Sequence, residues 1–280
     1  MLFGQSNAVG HDATMDPCDV IDLPLKNVFG LHRNENQSFD NEELVFSGYT
    51  SHGMNLAETQ DNTYSVANCL ARRWQNAVDG GENLPDLYII HIAIGSQGVF
   101  GMWSPDRRPV IKPGILGVCN ISMYPLAIHT IKLLRKYFAE KSLTPHYFGI
   151  HWRGGEQEIL REMSDLIPRL KEDYIRLFGG LREAIGENAP IILHRFPFAS
   201  HMDKRDPSGG FMERMNYINS LFDELALELS SVSVFDATTA PFYDASVADY
   251  GILRADLIHY TGKTNDWVAS QILNDYIAKN

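Results

Sequence analysis

Two stretches far apart in the chain carry residue types that could do chemistry together. The opening Met-Leu-Phe-Gly-Gln-Ser-Asn-Ala-Val-Gly-His puts Ser6 on a turn between Gly4 and Gly10, where a backbone without Cβ can bend sharply and present a side chain outward. Near the other end, Asp256-Leu-Ile-His259 sets a carboxylate three residues ahead of an imidazole. An aspartate so placed can accept the proton of one ring nitrogen while the other faces a serine, and a serine hydroxyl is a poor nucleophile without such a base. The chemistry open to this trio is acyl transfer through a serine ester. Either half alone is common turn or capping chemistry, so the intervening elements must be able to bring them together.

Those elements read as alternating strands and helices. After a stub at residues 1–3, apolar, β-branched or aromatic runs at 27–31, 87–94, 146–152, 190–197 and 232–237 predict strands. Several are apolar on both faces, which suits a parallel sheet covered on each side. Helical patterns occupy 64–78, 124–139, a stretch from about 159 to 185, 211–229 and 266–278. In 124–139, Leu126, Ile131, Leu133, Leu134, Tyr137 and Phe138 make a broad apolar stripe, as on a helix lying against a sheet. The order predicts an α/β protein, a three-layer α/β/α sandwich with a doubly wound, mainly parallel five-stranded sheet. In such sheets ligands gather at the carboxyl ends of the strands.

The reactive residues fall at those ends. Ser6 follows the first strand, Gly95-Ser-Gln-Gly98 follows 87–94, Arg153-Gly-Gly-Glu156 follows 146–152, and Asp256 and His259 follow the last strand. One sheet edge can bring all of them into a single crevice. Apart from the strand at 27–31, the stretches 11–62 and 97–120, the latter with the proline cluster 105–109, are long loops that shape a site or run over the surface. The loop 199–210 leaves a strand end near the same edge, as a substrate contact or a solvated turn. Ser96 is rejected as a nucleophile, because Ile94 stands where a nucleophile elbow needs its first glycine. His91 and His194 read as core or rim residues, and no metal-ligand spacing is present, so neither a metal nor an organic cofactor is expected. Trp103 and Trp152 are either sugar-stacking or core aromatics, with the core favoured for Trp152.

Composition sets outer limits. The 280 residues suffice for one large α/β domain and show no linker, so a single domain over 1–280 is expected. A formal charge of −11 opposes binding to nucleic acid or an anionic membrane, and no run approaches a membrane span. Cys18, Cys69 and Cys119 are too scattered for a disulfide framework and read as buried thiols. No signal-peptide layout is present, but a start almost inside the first strand leaves a trimmed leader, and so the compartment, open.

Through Gly4-Gln5-Ser6-Asn7, Ile94-Gly95-Ser96-Gln97 with Trp103 beyond, Trp152-Arg153-Gly154-Gly155-Glu156 and Asp256-x-x-His259, the chain resembles the SGNH hydrolases. More narrowly it resembles their carbohydrate acetylesterase branch, which includes sialate O-acetylesterases and acetylxylan esterases. The blocks keep the family's order from Gly4 to His259. The resemblance implies a flavodoxin-like fold, Ser6 as nucleophile, His259 as base and Asp256 as the residue that holds the imidazole tautomer. It implies an oxyanion hole that includes the backbone N–H groups of Ser6 and Gly95, with Gln5 ordering the turn or the hole, and an acetylated sugar or polysaccharide as partner.

The chain departs from the branch where Trp-x-Gln-Gly-Glu is usual, since Gly154 stands in place of the Gln whose amide lies near the oxyanion. The hole is then weaker, uses the Gly154 N–H, or recruits Arg153, which otherwise faces an acidic substrate or pairs with Glu156. Ser96 replaces a second glycine and Ala8 a frequent methionine, both milder changes. The expected function is a serine esterase removing short acyl groups from carbohydrate hydroxyls. A carbohydrate O-acyltransferase, or a binding or assembly module that lost activity, are the alternatives.

Overall fold

The computed structural model describes residues 1–11, 13, 15–31, 46–54, 63–106, 122–160, 167–197 and 210–279. Along the chain come Leu2–Gly4 (β1), Ser6–Val9 (α1), Val28–Leu31 (β2), Phe46–Gly48 (β3), Val66–Asp79 (α2), Leu87–Ile89 (β4), His91–Ala93 (β5), Met123–Glu140 (α3), Ile150–Arg153 (β6), Glu156–Leu160 (α4), Leu170–Ile185 (α5), Ile191–His194 (β7), Phe211–Glu228 (α6), Val232–Phe235 (β8) and Gly262–Lys279 (α7). The central sheet has five strands in the order β5-β1-β6-β7-β8, every neighbouring pair parallel. Taken in chain order these strands lie as second, first, third, fourth and fifth, which is the flavodoxin-like doubly wound arrangement. Winding reverses beside β1, and the crevice opens outside the carboxyl ends of β1 and β6.

Side-chain alternation along each strand sends successive residues to opposite layers. Phe3, Ile92, Ile150, Trp152, Ile191 and Leu193 share one core with Ile131 of α3, Leu177 and Leu181 of α5 and Phe222 of α6. Leu2 joins a second core with Leu70 and Trp74 of α2 and Val268 and Ile272 of α7. Gly4 has φ 144°, and a Cβ there would lie 2.1 Å from the Arg153 carbonyl oxygen, so only glycine lets β1 run this close to β6.

Three expectations need revision. The run 87–94 is two strands: it bends at Ile90, so that β4 pairs with β2 in a second sheet, of order β3-β2-β4, while β5 pairs with β1. An apolar run reports that both faces are covered, not which strands lie alongside. The antiparallel β3 has too short and mixed a pattern to be legible. Helix α7 begins at Gly262, earlier than the apolar pattern, because its first turn is polar: the Thr264 N–H donates to Thr261 Oγ1 at 3.1 Å and the Asn265 Nδ2 to the Tyr64 carbonyl at 2.8 Å.

Cys69 is buried in α2 as expected, but Cys18 is exposed within the surface turn Pro17–Asp19, and Cys119 lies outside the described residues. The stretch 107–120 of the second long loop and residues 199–209 of the third lie outside them too. Among the described residues no helix is long and apolar enough to cross a membrane.

Candidate active site

Ser6 is the first residue of α1, separated from the end of β1 by Gln5 alone. The Gly4 carbonyl that precedes it accepts the Ile94 N–H at 3.3 Å and the Trp103 indole N–H at 3.1 Å, and the Gln5 N–H donates to the Arg153 carbonyl at 2.9 Å. Gly10, at φ 84°, ends the helix, and its N–H donates to the Ser6 carbonyl. These bonds tie the serine turn to both neighbouring strands.

The histidine comes from the loop before α7. Asp256 Oδ1 accepts the backbone N–H groups of Ile258 and His259, each at 2.9 Å, and its Oδ2 lies 2.8 Å from His259 Nδ1. This tight turn places Leu257 in the left-handed region at φ 64°. An ionised carboxylate only accepts, so Nδ1 carries the ring proton and Nε2 is left to accept from the Ser6 hydroxyl, 2.9 Å away. Burial works against the charged Asp256, but the two backbone donors and the imidazole outweigh it and hold the carboxyl below its ordinary range. Serine, neutral imidazole and carboxylate thus form one hydrogen-bonded line that can move a proton off Ser6 and stabilise the resulting imidazolium. The His11 ring lies 5.1 Å from that of His259, centroid to centroid.

The remaining residues singled out from the sequence divide sharply. Gly95 follows β5, the neighbour of β1 on the side away from β6, and Ser96 is exposed beside it at φ 58°. Gln5 is buried: its Oε1 accepts the Gln157 N–H and its Nε2 donates to Glu158 Oε2, both at 3.2 Å. Of the three roles considered for the Arg153 side chain, in the oxyanion hole, toward an acidic substrate or paired with Glu156, its position beneath α7 fits none. Arg153 is only 2% exposed, with Nη1 donating to Asn265 Oδ1 at 2.9 Å and its guanidinium 4.8 Å from the Tyr260 ring centroid. Strand alternation is the reason: Trp152 takes the α5 side, and Arg153 turns under α7 rather than toward solvent. Its Nε and Nη2 have no hydrogen-bond partner among the described residues.

Glu156 is also buried and accepts from Asn7 Nδ2 at 2.7 Å instead of pairing with Arg153. A Cβ on Gly154 would come within 2.9 Å of the Trp152 ring, so a side chain there would have to displace a core tryptophan. Gly155, at φ 135° and hemmed in by Phe196, is the residue whose backbone demands glycine. Trp103 and Trp152 are both fully buried and meet edge to face at 5.0 Å, which removes Trp103 as a stacking platform for a sugar. His91 is buried and donates to the Ala8 carbonyl at 2.8 Å, while His194 lies 3.2 Å from the buried His151. The roles of Asn7 and Glu158 are not legible in the sequence, because their partners lie 58 to 253 residues away along the chain.

No family model matches the chain, and no curated protein matches it in sequence. Among solved structures, that of NanS aligns over 99% of this chain and 96% of its own, with a TM-score of 0.60 at 12% identity. Est24, a carbohydrate acetylesterase from Sinorhizobium meliloti, aligns over 80% of this chain and 90% of its own, with a TM-score of 0.45 at 13% identity. An inhibitor-bound aryl esterase of M. smegmatis gives coverages of 80% and 91% and a TM-score of 0.41 at 10% identity. The likeness to NanS is one of fold.

Proposed function

We propose that the chain is a serine esterase of the SGNH type, one domain over residues 1–280, that removes acetyl or another short acyl group from a carbohydrate hydroxyl. The observation that carries this reading is the hydrogen-bonded line from Ser6 through His259 to Asp256, closed between residues 253 apart in sequence at the carboxyl edge of the sheet. The carbohydrate part of the reading comes from the motif resemblance.

The reaction runs through this chain's own groups. As Ser6 Oγ attacks the ester carbonyl carbon, its proton passes to His259 Nε2 and the carbonyl π pair moves onto oxygen. Asp256 holds the Nδ1 proton and stabilises the imidazolium. Collapse of the tetrahedral intermediate breaks the bond to the sugar oxygen, which takes the proton from Nε2. Water then attacks the acyl-serine with His259 again as base, releasing the carboxylate and restoring Ser6. The backbone N–H groups of Ser6 and Gly95 serve the oxyanion, with the Gly154 N–H in place of a side-chain amide. Each well-aimed donor contributes on the order of 100- to 1000-fold. No step calls on a metal or an organic cofactor.

Hydrolysis of a chromogenic acetyl ester, compared with butyryl and octanoyl esters and with Ser6→Ala as the blank, tests the reading. The acetyl ester should turn over fastest, and purified acetylated sugars should then lose their acetyl groups. Full turnover by Ser6→Ala would overturn it.

A further inference from the structure

The two residues that flank Ser6 are both buried, and both end on carboxylates of one short helix. On one side, Asn7 Nδ2 donates to Glu156 Oε1 at 2.7 Å and to the Ile258 carbonyl at 3.1 Å, while its Oδ1 accepts the Tyr260 N–H at 3.0 Å. Ile258 and Tyr260 are the neighbours of His259, so a single amide brackets the base on both sides. On the other side, Gln5 donates to Glu158 Oε2, and Glu158 Oε1 accepts the Val99 N–H at 2.6 Å and the Phe100 N–H at 3.5 Å. Those amides belong to the turn that follows Gly95. Gly98 is fitted to the same carboxylate, for a Cβ there would lie 1.8 Å from Glu158 Oε1.

Glu156 and Glu158 are 6% and 2% exposed, and burial favours the neutral form of each. Burying a carboxylate costs several kcal/mol unless the bonds it makes offset the lost hydration. Here those bonds converge on the residues before and after the serine and on the two segments that face it. Neither carboxylate takes part in the bond making and breaking proposed above.

We propose that Glu156 and Glu158 are positioning residues: Glu156 fixes the His259 segment through Asn7, and Glu158 fixes the 95–100 turn through Gln5 and the Val99 amide. Helix α4 thereby sets the distance from Ser6 to its base and to its oxyanion donors. The inference rests on the esterase reading of Ser6 and His259, so its test includes a readout that does not.

That readout is amide hydrogen exchange. Glu156→Ala should speed exchange at Tyr260 by about ten-fold or more and leave Val99 unchanged, and Glu158→Ala should do the reverse. On the chromogenic acetyl ester, Asn7→Ala and Glu156→Ala should each lower kcat roughly 100-fold with KM little changed, the cost of misplacing reacting groups by about 1 Å. The double variant should be no slower than Asn7→Ala, because the two act as a unit.

Glu156→Gln should restore kcat, since its carbonyl still accepts from Asn7. Glu158→Gln should not, because its amide would set a donor against Gln5 Nε2. Unchanged Tyr260 exchange, or a wild-type kcat in folded Glu156→Ala, overturns the role of Glu156; unchanged Val99 exchange in folded Glu158→Ala overturns that of Glu158. Should the alanine variants not fold, equal kcat in the two glutamine variants overturns the inference. A wild type without esterase activity sinks the esterase reading alone, and the exchange pattern then decides the clamp by itself.

Discussion

The two faces of the central sheet are built from different chemistry. Toward α3, α5 and α6 the strands present Phe3, Ile92, Ile150, Trp152, Ile191 and Leu193, all buried within one apolar core. The alternate positions of the same strands, under α1, α2 and α7, hold Leu2 but also His91, His151, Arg153 and His194, all buried as well. The polar groups are bonded rather than merely enclosed: His91 to the Ala8 carbonyl just past Ser6, His151 to His194, and Arg153 to Asn265 and the face of Tyr260, next to His259. The apolar face supplies stability by burial, and the polar face carries the sheet's geometry out to the segments that hold the serine and the histidine.

The largest effect that would sharpen this division is at the edge where the polar face ends. Ser6→Ala and His259→Ala should each lower esterase kcat by on the order of 10⁴- to 10⁶-fold, with the double variant little worse and the thermal midpoint nearly unchanged. An unfolded Ser6→Ala would show that the edge holds the fold as well as the chemistry.

Next in size, Leu181→Ala, a fully buried truncation in α5 on the apolar face, should cost about 2–5 kcal/mol in urea unfolding and leave kcat of the folded enzyme intact. A kcat loss that outruns the stability loss would break the comparison.

The polar face should reveal itself in acid. Burial lowers the pKa of His91 to about 4 and of His151 to about 3, and holds that of His194 well below the ordinary value. In the unfolded chain each titrates at about 6.5, so below that pH the unfolded state binds more protons than the native one. The stability tied to these neutral rings is complete above about pH 6.5 and is lost as pH falls toward the folded values, by up to about 1.4 kcal/mol per pH unit for each ring. Urea midpoints should therefore drop steeply from pH 7 to pH 5, and His151→Asn should make the slope shallower. An unchanged slope in that variant would remove His151 from the account.

The smallest expected effect concerns Arg153. Replacing a buried, incompletely bonded charge by an apolar side chain of similar length is often neutral or stabilising. Arg153→Met should leave the thermal midpoint unchanged or raised, yet lower kcat by about ten-fold through a loosened Tyr260. A lower midpoint with unchanged kcat would make Arg153 a packing residue only.

Legibility in the sequence followed the range of the interactions. The Asp256 turn is legible because both its partners lie within three residues, and the strands are legible because burial on both faces leaves continuous apolar runs. The bend at Ile90 and the early start of α7 were not, since strand partners and polar tethers such as Asn265 to Tyr64 leave no mark on periodicity. The directions of Arg153 and Trp103 were hidden for the same reason.

By itself, then, the order of residues determined the alternation of strands and helices, the glycine turn under Ser6 and the aspartate turn that orients His259, because each follows from local backbone sterics, local hydrogen bonding and patterned burial. Tertiary structure alone decided that Ser6 and His259 meet at 2.9 Å, that Arg153 faces inward, and that Glu156 and Glu158 grip the residues on either side of the serine. Those outcomes depend on which strand lies beside β1 and how closely, and the 2.1 Å that any Cβ on Gly4 would leave to Arg153 is a distance that exists only once the sheet has formed.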